Sequence, residues 1–386
     1  MKKKVLWLHK WLGLISGIVV LIVSLTGCIY VFQDELKLLV YPEKYYVNVP
    51  VTQQKQPIAL SKLIAIAEEN LNKGEKVTRI DVFPHKDRTW VFRAVKTNKN
   101  AFLYSDYFVY HKRVFIDPYS GKVQNVENSK SEFFQVVLQL HMNLLLGKKY
   151  GHTITSFSVL FFAIISISGI ILWWPKKWKR KTLKQHFSIK LNAKRKRLNY
   201  DLHNVLGFYS LIFALVFAFT GLVFAFPFLK TIITTSFDAL DKKENTVPKK
   251  LAFIPQKTEN ILDNALFYVL LKHQEADQFS VRLEKEKTES QGIQVRLEEN
   301  KTSAFYWYYF NQKDGQLVKL KSSANLQLGS KITTMNYDLH TGSLGGLTTK
   351  ILAFIASLIC ASLPITGFII WLNKRKKIGS KKLLSQ

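Results

Sequence analysis

Four of the nine histidines in this chain fall in two matched settings. His9 lies in LHKWLGLISG at 8–17 and His203 in LHNVLGFYSL at 202–211, so one Leu-His-x-x-Leu-Gly pattern opens two long apolar stretches. His141 in QLH and His340 in DLH each stand shortly before another apolar stretch. An ionisable side chain inside a membrane span is costly, and it usually faces the bundle interior with a partner. On a helix His9, Gly13, Ser16 and Gly17 share a face, as do His203, Gly207 and Ser210. Gly13 and Gly207, one turn from the histidines, leave a flat slot against the backbone. A porphyrin plane fits such a slot with imidazole as axial ligand. The alternative is an interfacial histidine beside a helix-packing glycine, because small residues let helices approach closely. Recurrence of the motif favours a ligand pair, His9 with His203, and a second pair, His141 with His340, near the opposite surface. A bare transition-metal ion is less well served, since no Asp, Glu or Cys cluster accompanies these histidines in the apolar stretches.

The elements that must hold them are set by hydropathy and charge. The chain has 386 residues, 47% hydrophobic, with a formal net charge of +29. A soluble protein this basic would suggest nucleic acid. Here the charge sits in connections between apolar runs, which excludes that reading. Four runs approach or exceed the roughly 20 residues that cross a bilayer: 5–33, 153–174, 203–229 and 347–372. Lys2, Lys3 and Lys4 precede the first. Eleven Lys and Arg, with no Asp or Glu, stand between residues 175 and 200. Lys374, Arg375, Lys376, Lys377, Lys381 and Lys382 follow the last. Short loops rich in Lys and Arg stay in the cytoplasm. The organisation is therefore a transmembrane segment within 1–33, an outside domain at 34–152, a span at 153–174 and a basic cytoplasmic loop at 175–202. A span at 203–229, a second outside domain at 230–346, a span at 347–372 and a cytoplasmic tail at 373–386 complete it. Trp7, Trp11, Trp173, Trp174, Trp178 and Trp371 lie near the cytoplasmic span ends, where an aromatic belt is expected.

The halves resemble each other. His9 with His203, Gly13 with Gly207, and Thr26-Gly27 with Thr220-Gly221 share one offset, as do the loops around Gly121 and Gly315. The His141–His340 and Gly169–Gly367 matches drift by a few residues, which a loop insertion explains. Each half reads as span, outside domain, Leu-His, span. Two spans per half preserve orientation, giving a parallel repeat about an axis along the membrane normal. Both outside domains read as α+β. PIALSKLIAIAEENL has helical spacing, followed by the alternating strands TRIDVFP, TWVFRAV and YFVYHKRVFID. In the second, TENILDNALFYVLLKH is the helix, and FSVRLEK, GIQVRLEE and AFYWYYFN are strands.

Other residues carry less. His85, His111, His186 and His273 sit in polar loops and read as solvated. His152 opens the second span and is an alternative ligand for the outer site. Cys28 and Cys360 lie in apolar runs, so no disulfide framework is expected, and no C-x-x-C-H occurs for covalent haem. LTGC at 25–28 mimics a lipoprotein cleavage site, but the apolar run continues past Cys28, so cleavage is not expected. Tyr104, Tyr107, Tyr110 and the aromatic run 305–310 would either line a large ligand or pack as strand faces, the simpler reading. No GxGxxG or Walker motif and no hydrolytic constellation stands out.

LHKWLGLISG, IDPYSGKV, LHMNLLLGKKYG, SGIILWWP and LHNVLG, in this order, resemble the PepSY-associated transmembrane family, also called iron-regulated membrane proteins. The resemblance covers nearly the whole chain. It implies a bacterial inner-membrane bundle of four helices with two PepSY-like α+β periplasmic domains. Some members resemble di-haem reductases that release iron from ferric siderophores. The resemblance implies two haem b groups ligated by His9, His203, His141 and His340. It also implies a ferric siderophore or other ferric chelate as acceptor, while the donor, a quinol or a cytoplasmic reductant, stays open. Two departures stand out: His152 follows Gly151 where relatives often carry a basic residue, and NQKDGQLV is a weaker match than IDPYSGKV. Two other readings compete. One is a cofactor-free membrane protein whose PepSY domains bind or regulate a periplasmic partner. The other is an iron-chelate transporter, against which the absence of an Asp, Glu or Arg relay in the spans counts.

Overall fold

The computed structural model describes residues 2–47, 56–176, 178–241, 259–283 and 290–383. Glu284 and Lys285, the end of the expected strand FSVRLEK, lie outside the described residues, as do the side chains of Lys376, Lys377, Lys381 and Lys382. The chain divides into two compact units. The helical unit is Met1–Phe32, Val137–Lys230 and Leu339–Gln386, and the sheet unit is Gln33–Val136 and Thr231–Asp338.

In the helical unit the uninterrupted apolar runs fold as long helices, Lys2–Val31, Lys148–Trp173 and Gly346–Leu383. Among the described residues these are long and apolar enough to cross a membrane. The pair Arg195–Tyr209 and Leu211–Ala225 makes a fourth span if counted as one, although it bends by 64°. Lys2–Val31 packs on Lys148–Trp173 and Gly346–Leu383, and Leu211–Ala225 packs on the same two helices. The third apolar run departs most from expectation. It is wound as a π-helix at Leu202–Leu206, breaks at Ser210, and ends at Phe226 before Pro227 starts another helix. Gly/Ser positions and π-bulges are where helices kink sharply, and this one bends at Ser210, just past the π-turn that carries His203. Cys28 is buried within the first helix, which continues to Val31.

The sheet unit departs from the expected pair of separate domains. Its strands are β1 (Arg79–Val82), β2 (Trp90–Thr97), β3 (Phe108–Ile116), β4 (Val123–Asn128), β5 (Gln278–Arg282), β6 (Ser290–Arg296), β7 (Phe305–Asn311) and β8 (Leu317–Ser322). They form one antiparallel sheet in the order β4-β3-β2-β1-β5-β6-β7-β8. The join is β1 against β5, with Ile80 opposite Val281 and Val82 opposite Phe279. Alternation puts Ile80, Phe92, Val114, Phe279, Ile293 and Phe310 on one face. Helices Leu60–Glu69 and Ile261–Lys272 cover that face through Leu60, Leu63, Leu266 and Val269, so the two loops share one core. Tyr308 and Phe310 belong to that core, as the simpler reading of the aromatic run expected. Gly121 and Gly315 adopt φ of +75° and +72° in the turns β3–β4 and β7–β8, a conformation that favours glycine.

Of the four histidines read as solvated, His85 is exposed, and the other three need correction. His111 lies on strand β3 and is 6% exposed. His273 bonds the Tyr308 hydroxyl at 2.7 Å, and His186 packs edge-on against Trp173. Burial, then the Arg113 and Arg93 charges, push the His111 pKa down from 6.5 to about 3, with Glu127 opposing. Unfolded, this imidazole takes a proton near pH 6.5 that the folded chain refuses until much lower pH. Its stabilising contribution is therefore complete above that value. It falls by about 1.4 kcal/mol per pH unit below it, until the folded pKa is reached. The melting temperature of the sheet unit should drop between pH 7 and pH 5, and His111→Gln should flatten the drop. An unchanged slope in the variant would assign the proton elsewhere.

Candidate functional site

The helical unit brings the four motif histidines together as two pairs. His9 and His203 stand with ring centroids 6.3 Å apart at an interplanar angle of 90°, and His141 and His340 with centroids 6.1 Å apart at 71°. His9 is on the first long helix and His203 on the π-turn. His141 and His340 are on the short helices Phe133–Asn143 and Asn336–Thr341, which precede the second and fourth long helices.

Each imidazole is held through the same nitrogen. Nδ1 of His9 lies 2.9 Å from Ser168 Oγ, and Nδ1 of His203 lies 2.9 Å from Thr366 Oγ1. Nδ1 of His141 lies 3.1 Å from Thr26 Oγ1 and 2.9 Å from the Val23 carbonyl. Nδ1 of His340 lies 2.7 Å from Thr220 Oγ1. The hydroxyl hydrogens are directed elsewhere: Ser168 donates to Ile165 O, Thr26 to Ile22 O, Thr220 to Val216 O and Thr366 to Ser362 O. The hydroxyl oxygens are thus left to accept, and Nδ1 carries the proton. For His141 the Val23 carbonyl requires it, since a carbonyl only accepts. The Nε2 lone pair of each ring is then free for a metal, which is how a partner on the other nitrogen fixes a ligating histidine.

A glycine follows each of those hydroxyl residues. A Cβ on Gly169 would lie 3.6 Å from His9 Cε1, on Gly367 3.2 Å from His203 Cε1, on Gly27 3.5 Å from His141 Cε1 and on Gly221 3.9 Å from His340 Cε1. The Ser/Thr-Gly dipeptide is therefore one device used four times: the hydroxyl orients the ring and the glycine leaves room for it. Sequence reading found its recurrence but not its purpose. The signal was present, because the dipeptide occurs in every apolar run, twice in the first.

The two pairs sit at opposite ends of the bundle. His9 and Thr26, the partner of His141, are on one helix, about 25 Å apart at 1.5 Å per residue. The turn after His141 is tight. Leu144 and Leu145 both have positive φ, 55° and 56°, and Gly151 lets the next helix lie against the Asn143 backbone. His152 joins neither pair: its Nδ1 lies 3.3 Å from Ser156 Oγ on its own helix.

The donor set can be tested against the group it suggests. Among the described residues no cluster of three or more His, Cys, Asp or Glu is placed to hold a bare metal ion. Two imidazoles suit instead an iron whose remaining positions are filled by its own macrocycle. Metal–imidazole bonds run about 2 Å, and the centroid separations leave space for one metal atom between facing rings. A Cβ at Gly13 would meet nothing within 4 Å, which leaves an open face beside His9; at Gly207 it would reach ordinary contact with Leu363. The residues present fit haem at both pairs.

Long apolar helices joined to an α+β unit define a membrane protein. Residues 6–374 match the family described as PepSY-associated TM region, and the chain belongs to that family. Comparison with curated proteins finds no match.

Proposed function

We propose that the chain is a di-haem b electron-transfer protein of the bacterial inner membrane, acting as a ferric-chelate (siderophore) reductase. The observation that carries this reading is the pairing of four imidazoles two by two, each with Nδ1 occupied and Nε2 left for a metal. In this reading the bent pair is one span of four, the halves form a parallel repeat, both termini are cytoplasmic and the sheet unit is periplasmic. His9 and His203 would hold the inner haem, His141 and His340 the outer. Bound haem supplies one-electron redox chemistry, which would carry reducing equivalents from a quinol or cytoplasmic reductant to a periplasmic ferric chelate. The chain's own residues do the positioning. Ser168, Thr366, Thr26 and Thr220 fix the imidazole tautomer, and the four glycines keep the rings uncrowded. Reduction weakens the hold of hard oxygen donors on iron, so the metal leaves without any bond in the chelator breaking. That requires no catalytic acid or base from the protein.

The test is optical. Purified in detergent, the protein should show a Soret band, with sharp α and β bands on dithionite reduction. The reduced form should reoxidise on addition of a ferric chelate while a colorimetric chelator traps ferrous iron. A colourless protein would sink the reading in favour of a cofactor-free membrane protein that engages a periplasmic partner. Haems that stay reduced across a panel of ferric chelates would point to a different acceptor.

A further inference from the structure

The face of the sheet opposite its helices carries a row of arginines. Strand register places Arg113 of β3 opposite Arg93 of β2, Arg93 opposite Arg79 of β1, and Arg79 opposite Arg282 of β5. Like charges directly opposite on neighbouring strands destabilise a sheet, so four in succession need an explanation. Two buried carboxylates offset part of the charge. Asp81, 1% exposed, accepts from Arg79 Nε at 3.0 Å and pairs with Arg93. Glu127, opposite Arg113, accepts from Lys44 at 2.6 Å and from Arg113 at 3.4 Å. The compensation is incomplete. Among the described residues the Nε atoms of Arg93 and Arg113 are buried without a hydrogen-bond partner, and Arg113 is only 7% exposed. Buried donors of this kind are costly unless something accepts from them. The row is also graded. Segment 42–47 closes it at Arg113, where Lys44 is buried and Tyr45 packs edge-on against Phe115. The Arg93 and Arg79 side chains are about a third exposed. Arg282 is exposed and lies 4.7 Å from the Trp307 ring centroid.

We propose that this row is a binding site for a small, multiply charged carboxylate anion, gripped by Arg93, Arg79 and Arg282. Guanidinium forks match carboxylates bidentately, and a row of them at strand spacing offers several such grips to one polyanion. Of the two orphaned Nε donors, that of Arg93 belongs to the proposed grip, whereas that of Arg113 lies at the closed end of the row. Taken with the reductase reading, on which this clause rests, the favoured acceptor is a ferric polycarboxylate with anionic oxygens at its periphery, and not a neutral hydroxamate.

The test uses gallium citrate, a redox-inert stand-in that reports binding without any electron transfer. Titrated calorimetrically into the full-length protein in detergent, it should bind saturably and more weakly as salt rises. Arg93→Gln and Arg282→Gln should each weaken binding by about tenfold or more, the loss of a charge-assisted contact, with haem content unchanged. Arg282 is exposed, so its variant keeps the test meaningful if Arg93→Gln fails to fold. Binding undiminished in the Arg282 variant would overturn the proposal. So would a neutral gallium hydroxamate bound as tightly, or retention only by anionic-lipid vesicles and not by free citrate. A colourless protein that still binds gallium citrate through these arginines would remove the reductase reading and leave this site. A haem-loaded protein that ignores the anion would do the reverse.

Discussion

Replacing His340 with alanine is expected, on the proposed di-haem reading, to halve the haem content per chain and to stop reduction of an external ferric chelate, while the His9–His203 site keeps its haem. Its ring faces His141 at 6.1 Å, and among the described residues no other imidazole forms a ring pair with His141 that could take over. In the di-haem reading, removing it leaves His141 alone to hold the outer group. A milder change separates ligation from positioning. Thr220→Val keeps the imidazole but removes the hydroxyl that accepts from Nδ1 at 2.7 Å. Loss of such an outer partner typically costs about 10–100-fold in metal affinity. Thr220→Val should therefore load haem incompletely at low haem supply and fully at high supply, whereas His340→Ala should not be rescued. A pyridine haemochrome assay over a haem titration reads both. Full content and an unchanged low-spin spectrum in His340→Ala would show that the pairing is wrong.

Gly151→Ala should be nearly as damaging, although it removes nothing. A Cβ there would be built 1.9 Å from the Asn143 carbonyl oxygen and 2.6 Å from its carbon. The obstacle is backbone, so no side-chain rotation relieves it. Overpacking a well-filled site costs about 1–3 kcal/mol, and this clash belongs at the upper end or above. Asn143 is two residues from His141, so the same displacement should empty the His141–His340 site in preference to the other. Gly13→Ala is the contrast. Its Cβ meets nothing within 4 Å, so thermal stability without haem should be unchanged while haem at His9 is crowded. If Gly151→Ala melts like wild type and loads both sites, the close approach is not what holds the turn.

The histidine pairs were legible because one Leu-His pattern recurs along the sequence, and because a histidine in an apolar run demands a partner. The hydroxyls that hold them were legible only as a recurring dipeptide. Which hydroxyl meets which imidazole depends on how the helices pack, and each histidine bonds a residue more than a hundred positions away. The strands followed from alternation, but the pairing of β1 with β5 did not. Two short strands of mixed composition, RIDV and QFSVR, carry no code for an edge partner so distant in sequence. His111 was misread as a polar-loop residue although it falls inside YFVYHKRVFID, the run read as a strand, because the charged residues that follow it suggested a solvated position. Its burial is set by the fold around it, which no local pattern announces. The break in the third apolar run was equally hidden, since its composition is that of a straight helix and only the Gly207 and Ser210 positions hinted otherwise.

The seam between β1 and β5 also bears on how the chain is made. The two strands that meet there are separated by roughly two hundred residues, including the second long helix and the bent pair. Contacts this distant in sequence are slow to form. During synthesis β1 emerges with one of its edges unpaired and must wait for β5 until the intervening helices have been built and inserted. Exposed strand edges of that kind recruit other strands. The nascent first loop is therefore the stage at which this protein is most open to mispairing, and the stage at which a holding chaperone would matter most.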